Sequence, residues 1–80
     1  MSLVPLVEET IKMLVADPDA VKVDETNDRG TLVYTVSVAP SDVGRVIGKD
    51  GRVISSVRQL VGAAGAKSRF KTVVKVASDN

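Results

Sequence analysis

The chain of 80 residues is expected to form one small domain, and its 44% apolar and 26% charged residues are typical of a soluble globular protein. The absence of cysteine and histidine excludes disulfides, thiolate or imidazole metal sites, a thiol nucleophile and the usual general base near neutral pH. No apolar run approaches the ~18–20 residues of a membrane span, and no signal peptide is recognisable. We therefore expect a cytosolic domain that needs no metal and no cofactor.

The first part of the chain predicts one helix and one strand. Apolar residues recur at three- and four-residue steps over residues 3–16, which is the period of one helix face. Ser2 is suited to cap the start of this helix, and Pro18 is expected to stop it because the residue before a proline avoids helical angles. Residues 20–26 alternate weakly between apolar and polar types and predict an edge strand.

The next strand is predicted to form a hairpin with the edge strand at residues 20–26. Residues 27–30 read Asn-Asp-Arg-Gly, which is turn chemistry, and residues 31–38 are rich in β-branched and aromatic types that favour a strand. Four residues of this strand are expected to share one buried face: Leu32, Tyr34, Val36 and Val38. The aromatic residues of the chain, Tyr34 and Phe70, both fall at strand positions that suit core packing.

The second part of the chain predicts two helices and a last strand. Ser41 or an adjacent residue is expected to cap a short helix that ends at about Ile47. A further helix is predicted over residues 52–61, and the glycines and alanines of residues 62–66 predict a flexible connection. Residues 69–77 predict the final strand.

The predicted fold class is α+β, with elements in the order α-β-β-α-α-β. The first two strands should pair antiparallel, and the third should return parallel to the strand at residues 31–38 through a right-handed crossover. Three strands covered on one face by three helices make a two-layer sandwich with a mixed sheet. We expect a single domain over residues 1–80, with its ordered core at about residues 3–77.

The charges separate along the chain although the net charge is only +1. Residues 1–42 contain three basic and eight acidic side chains and carry −5, whereas residues 43–80 contain eight basic and two acidic side chains and carry +6. This separation of charge has two interpretations. It indicates either a basic face that binds a polyanion, or an ordinary solvated surface on which basic and acidic residues happen to be separated along the sequence. The charges alone favour neither interpretation.

The segment from Val46 to Ile54 contains the residues that indicate a binding site. Its two glycines, Gly48 and Gly51, join two short helices, and glycine permits a sharp turn and the close approach of a ligand's backbone. The unpaired amides and positive dipole end of the following helix should face the same space and attract an anion. Three cations add to this site: Arg45, Lys49 and Arg52. An apolar surface beside it is expected from Ile47, Ile54 and Val57.

This segment resembles the signature I-G-x-x-G-x-x-I of the K-homology (KH) family, matched here from Ile47 to Ile54. The resemblance implies a domain that clamps about four nucleotides of single-stranded RNA at the loop. The element order is similar to the type II, prokaryotic arrangement, and the length with the run Ser-Asp-Val-Gly-Arg-Val-Ile-Gly resembles small bacterial members of the family. Such members imply a cytoplasmic homodimer, or pairing with a larger KH-containing protein. The residues assigned to RNA are Arg45, Ile47, Gly48, Lys49, Asp50, Gly51, Arg52, Ile54 and Arg58.

Other interpretations of these residues remain open. The two glycines also fit a plain turn between helices, and Arg58 is as well suited to a solvated surface as to a phosphate contact. Asp50 departs from the basic residues usual in such loops and repels phosphate, so a protein-interaction or assembly module is the alternative function. Catalysis is not expected, because Ser55 and Ser56 have no histidine to activate them.

Overall fold

The first helix of the computed structural model, which describes residues 2–77, is shorter than predicted. Helix α1 covers Val4–Lys12, and the Ser2 Oγ accepts the N–H of Val4 at 3.1 Å, as expected of a residue at the helix start. The helix ends well before Pro18, which opens a short 3-10 turn at Pro18–Ala20 instead of stopping the helix. The prediction of a helix up to residue 16 is therefore wrong.

The early end of α1 has a tertiary cause. The N–H groups of Ala16 and Asp17 donate to the two carboxylate oxygens of Asp42, at 3.0 and 3.1 Å. These amides consequently have partners 26 and 25 residues away and do not bond back along a helix. The carboxylate itself is 1% exposed.

A two-residue hairpin joins the first two strands. Strand β1 covers Lys22–Asp28, about two residues later than predicted, and β2 covers Thr31–Ser37. The strands are antiparallel, and the turn residues Arg29 and Gly30 have φ of 54° and 87°, as in a type I′ turn. The Asn27 side chain supports the turn by accepting the N–H of Gly30 at 3.0 Å.

The helix after the glycine loop is six residues longer than predicted. Helix α2 covers Val43–Ile47, α3 covers Arg52–Lys67 and strand β3 covers Lys71–Val76. Residues 62–66 are thus helical, and no flexible connection forms there. At Gly65 a Cβ atom would lie 2.5 Å from the Thr72 Cγ2, so this glycine permits close packing of α3 on β3.

The N-cap of α2 is a residue adjacent to Ser41, which is within the prediction. A 3-10 turn at Pro40–Asp42 precedes the helix, and Ser41 is exposed. The N-cap position of α2 belongs to Asp42, which makes no capping hydrogen bond to the helix. Its carboxylate bonds instead to the segment after α1, and this contact competes with capping because the same oxygens serve both.

The α+β fold class is confirmed. The sheet order is β1-β2-β3, and β3 lies parallel to β2. The helices cover one face of the sheet. The core contains the four residues predicted to share a buried face, of which Val38 follows β2, together with side chains in or next to α1, β1, α2, α3 and β3: Leu3, Val7, Ile11, Val21, Leu32, Tyr34, Val36, Val38, Val46, Ile54, Val57, Val61 and Val74. Phe70 is 36% exposed, contrary to prediction, because it precedes β3 at the protein surface.

A polar cluster joins the amino end to the hairpin. The buried Tyr34 hydroxyl donates to the Glu25 carboxylate at 2.6 Å and accepts the N–H of Leu3 at 3.3 Å. Burial, followed by the bond to Glu25, raises the pKa of Tyr34 to about 12. The hydrogen bond from Tyr34 lowers the pKa of Glu25, and a second bond from Ser2 acts in the same direction.

In the part of the chain that the structure covers, no helix combines the length and the apolar character needed to cross a bilayer. Residues 78–80, which the sequence predicts to follow the ordered core, lie outside the described residues.

Candidate nucleic-acid interface

The loop between α2 and α3 has a backbone that only glycine adopts at its first position. Gly48 has φ 76° and ψ 175°, a region essentially restricted to glycine. A Cβ atom here would overlap the side chain of Val53 and lie 2.9 Å from its backbone nitrogen. Gly48 is therefore required both by its dihedral angles and by the close approach of the two helices.

The next residues form a tight turn that points outward. Lys49–Gly51 make one 3-10 turn in which Asp50 has φ 57° and Gly51 has φ 74°, both in the left-handed region. Aspartate tolerates this region better than most residues, which accounts for its presence at this position on backbone grounds alone. Lys49 and Asp50 are exposed, so the loop presents one positive and one negative side chain to solvent.

The amide groups at the start of α3 are less available than the sequence predicted. The N–H of Gly51 donates to the Gly48 carbonyl at 3.2 Å, and the N–H of Arg52 donates to the Lys49 carbonyl. Two amides that were expected to face an anion therefore bond within the loop. The attraction for phosphate at this point rests on the dipole of the 16-residue α3 and on the cationic side chains.

Arg45 is held at the surface beside the loop. Its Nε lies 3.3 Å from the Asp42 Oδ1 in an ion pair, and the Arg45 side chain remains 63% exposed. The buried carboxylate of Asp42 thus joins α2 to the segment after α1 and orients this arginine. No local signal in the sequence identifies the partners of Asp42, because they lie 25 and 26 residues away.

Only one of the three predicted apolar residues is at the surface. Ile47 is 37% exposed next to the loop. Ile54 and Val57 are 5% and 4% exposed and belong to the core, so an apolar surface built from all three does not form. Ile54, which was assigned to RNA contact, is positioned to anchor α3 rather than to meet a ligand.

A groove opens between α3 and the edge of the sheet. Arg58 spans it, since its Nε donates to the Val74 carbonyl of β3 at 3.2 Å. The groove has a volume of about 410 Å³ and is lined by Arg58, Thr72, Val73, Val74 and Lys75. The residues of β3 were not predicted as part of the site, because their position depends on which strand forms the edge next to α3.

These elements together are those of the type II KH fold. A helix and a strand precede a β-α-α-β core, a Gly-x-x-Gly turn separates the two core helices, and the last strand is parallel to the central one. The chain belongs to the KhpA/KhpB KH-domain family, whose family model matches residues 5–76. The resemblance stated from the motif is thus confirmed.

Similar proteins from bacteria carry a common name. The chain is 41% identical over 71 residues to "RNA-binding protein KhpA" of Caldanaerobacter subterraneus subsp. tengcongensis, covering 89% of this chain and 95% of that protein. It is 38% identical over 71 residues to "RNA-binding protein KhpA" of Clostridium acetobutylicum, with the same coverage. The family is not an enzyme family, so the expectation that this chain is not an enzyme is confirmed.

Solved structures support the fold alone. Aquifex aeolicus Era has a TM-score of 0.64 and 17% identity, covering 99% of this chain. Era in complex with MgGDPNP and nucleotides 1506–1542 of 16S ribosomal RNA has a TM-score of 0.58 and 21% identity, again over 99% of this chain. The chain spans 33% of the length of each Era chain.

Proposed function

We propose that this protein binds single-stranded RNA by clamping the sugar-phosphate backbone at the loop of residues 48–51. The observation that carries the proposal is the loop itself, in which Gly48 is locked against Val53 while Lys49 stands exposed. A rigid turn without a side chain at its base allows a nucleic-acid backbone to approach closely. The names of the similar proteins, which describe RNA binding, point to the same ligand class.

The electrostatics favour binding of modest strength and little sequence selectivity. Residues 43–80 carry +6, and Arg45 and Arg52 are exposed on either side of the loop. Asp50 opposes this attraction, and the loop amides bonded to Gly48 and Lys49 do not add to it. We infer the role of a low-specificity RNA chaperone or post-transcriptional regulator in the bacterial cytoplasm.

Charge changes in the loop test the proposal. In a fluorescence-anisotropy titration with short unstructured RNA, Lys49→Asp should weaken binding at least about tenfold, because an attraction becomes a repulsion beside the start of α3. Asp50→Asn should strengthen binding, since it removes the acidic charge and asparagine also tolerates the left-handed backbone. Affinity should fall as salt rises, because neutralised phosphates release counterions.

Circular dichroism of both variants provides the control, as exposed loop residues should leave the fold intact. Folded variants with unchanged RNA affinity would show that the loop is not the binding site. An RNA affinity that does not change with salt concentration, or a strong preference for duplex RNA, would also contradict the proposal. The alternative, a protein-interaction or assembly module of KH shape, would then be favoured.

The proposed partners include a second KH domain. One domain that clamps about four nucleotides has limited affinity, and two linked sites raise it through effective concentration. The family name joins KhpA with KhpB, and we propose a homodimer or a pair with a larger KhpB-like protein. Sedimentation equilibrium at micromolar concentration should show a dimer. A monomer at every concentration would exclude the homodimer and favour the mixed pair.

A further inference from the structure

The face of the sheet that points away from the helices is open to solvent in the described part of the chain. Successive side chains of a strand point to opposite faces, so the residues next to the buried Tyr34 and Val74 belong to this open face. All of its side chains are exposed or half-buried. The open face consists of Lys22, Asp24, Thr26, Asp28, Thr31, Val33, Thr35, Ser37, Lys71, Val73 and Lys75.

Three rows of side chains cross the open face from β1 through β2 to β3. Each outer row begins with an aspartate on β1, continues with a threonine on β2 and ends with a lysine on β3. The middle row contains a threonine and two valines. The open face is thus acidic along one edge, basic along the other and apolar at its centre. The rows are Asp24, Thr35, Lys75; then Thr26, Val33, Val73; then Asp28, Thr31, Lys71.

The charges of the two edges do not neutralise each other within one molecule. Neighbouring strands lie about 4.8 Å apart, so β1 and β3 are separated by about 10 Å across β2. Within residues 2–77, none of the four charged side chains of the outer rows makes an ion pair. The center of the face also remains accessible, since Val73 is 39% exposed. The face therefore has both apolar surface and unpaired charge available for a partner.

We propose that the open face is an interface between two copies of this chain, packed face to face about a two-fold axis along β2; the inference rests on the homodimer among the proposed partners. This rotation places β1 of each copy opposite β3 of the other. Asp24 then faces Lys75 of the second copy, and Asp28 faces its Lys71. Val33 meets the same residue of the second copy. Four ion pairs surround an apolar centre, which is the usual arrangement of a protein interface.

The charges select this axis over the other two-fold arrangement of two stacked sheets. An axis across the strands would place each edge opposite itself, with Asp24 against Asp28 and Lys75 against Lys71. Such contacts between like charges disfavour a complex. With the axis along β2, Lys22 comes opposite Ala77, which carries no charge. The open face is therefore complementary to itself in one orientation.

The size of the open face predicts a weak and reversible dimer. Three strands about 4.8 Å apart, with about 3.3 Å per residue over the six residues of β3, make a face of about 14 by 20 Å. This is on the order of 300 Å² for each copy, below the ~800 Å² of a standard interface. We expect a dissociation constant in the micromolar range that rises with salt, because the ion pairs lie at the solvated rim.

The proposed dimer places both RNA-binding loops at the same end. Arg58 of α3 contacts Val74, whereas Gly65, one residue type without a side chain and two turns later, packs against Thr72. Helix α3 thus runs opposite to β3, and the loop before α3 lies towards the Lys75 end of the sheet. An axis along β2 keeps this end in common, so one RNA strand can pass both loops. Two linked sites raise affinity through effective concentration.

Charge reversal on opposite edges tests the interface without RNA. Sedimentation equilibrium is measured from micromolar to millimolar concentration on Lys75→Glu, on Asp24→Lys and on their equimolar mixture. Each variant alone brings like charges together twice, so its dissociation constant should rise at least about tenfold. In the mixture, each introduced charge faces an opposite one, and a dimer of about the original affinity should return. Lys67→Glu, an equal charge change at the exposed end of α3, is the matched control and should dimerise like the unaltered protein.

The outcomes separate the interface from the proposed function. Circular dichroism first establishes that the variants are folded, as expected of exposed positions. A dimer that persists in both single variants, or a mixture that stays monomeric, overturns this interface and leaves the homodimer standing. Equal weakening by Lys67→Glu assigns the effect to net charge and also overturns it. If the unaltered protein is a monomer at every concentration, the homodimer and this inference both fail, and RNA binding by the loop is unaffected.

Discussion

Gly44 within α2 and Gly48 directly after it have different reasons to be glycine. Gly48 is required by its backbone angles and by Val53, as described above. Gly44 lies inside the helix, and a Cβ atom built on it would meet nothing within 4 Å. No contact within the described chain therefore explains Gly44, although glycine in a helix is less favourable than alanine by up to about 1 kcal/mol. The open space next to the loop is what a passing RNA backbone would need.

Gly44→Ala should accordingly separate stability from binding. We expect the free energy of unfolding to rise by about 0.4–1 kcal/mol, because alanine restricts the unfolded chain, while RNA affinity falls as the methyl group enters the path of the backbone. Urea unfolding and anisotropy measure the two effects. Gly62→Ala is the control: its Cβ would lie 3.8 Å from the Thr72 Oγ1 and about 15 Å along α3 from Arg52. Gly62→Ala should raise the free energy of unfolding without lowering the affinity for RNA. If Gly44→Ala and Gly62→Ala bind RNA equally well, the RNA does not pass Gly44.

At the scale of elements, one carboxylate connects α2 to the segment that follows α1. Asp42 accepts two backbone N–H groups, from Ala16 and Asp17, and an ion pair from Arg45, while being 1% exposed itself. Hydrogen bonds to a charged group are stronger than neutral ones, at about 1.5–3 kcal/mol each. The orientation of α2, and with it the loop at its end, depends on this contact.

Asp42→Ala should lower the free energy of unfolding by about 3 kcal/mol, because two hydrogen bonds to a charged acceptor are lost. Arg45→Ala, the matched control, removes only a largely exposed ion pair and should cost under about 1 kcal/mol. Urea unfolding of the two variants measures the difference. If the two variants lose equal free energy of unfolding, the ion pair with Arg45, and not the two hydrogen bonds from backbone amides, is what connects α2 to the segment after α1.

The molecule as a whole should lose stability at alkaline pH through the Tyr34 cluster. The pKa of Tyr34 is raised to about 12 in the folded state, above the unfolded value of about 10. The folded protein thus holds this proton more tightly, and the stabilisation is complete below about pH 10 and lost as pH rises towards 12. Glu25 affects stability at acidic pH instead. Its pKa is lowered in the folded state, so it contributes stability that is lost as the pH falls through that folded pKa.

Unfolding in urea at pH 9, 10 and 11 should therefore show a steeper decline for the unaltered protein than for Tyr34→Phe. The phenylalanine variant keeps every lysine, so titration of those groups is common to both proteins. A decline of equal slope in the two proteins would show that Tyr34 does not govern the alkaline limit. The variant should be less stable at neutral pH, because the N–H of Leu3 and the Glu25 carboxylate lose their partner.

The sequence by itself determined the kinds and order of the elements, because these depend on neighbours along the chain. Helical spacing, alternation and the turn residues 27–30 act over a few positions, and they predicted α-β-β-α-α-β and a mixed sheet. The motif from Ile47 to Ile54 was likewise recognisable from the sequence, since its glycines and the helix ends that they join are neighbours along the chain. The family followed from this local pattern.

Only the tertiary structure decided where elements end and which side chains reach the surface. Helix α1 stops early because Asp42, far along the chain, takes the amides that would continue it. Helix α3 continues through its glycines because Gly65 packs against Thr72, which no helical period reveals. Arg58 meets the Val74 carbonyl only because β3 forms the sheet edge beside α3. Each of these contacts joins residues distant in sequence, so their energies have no local signature.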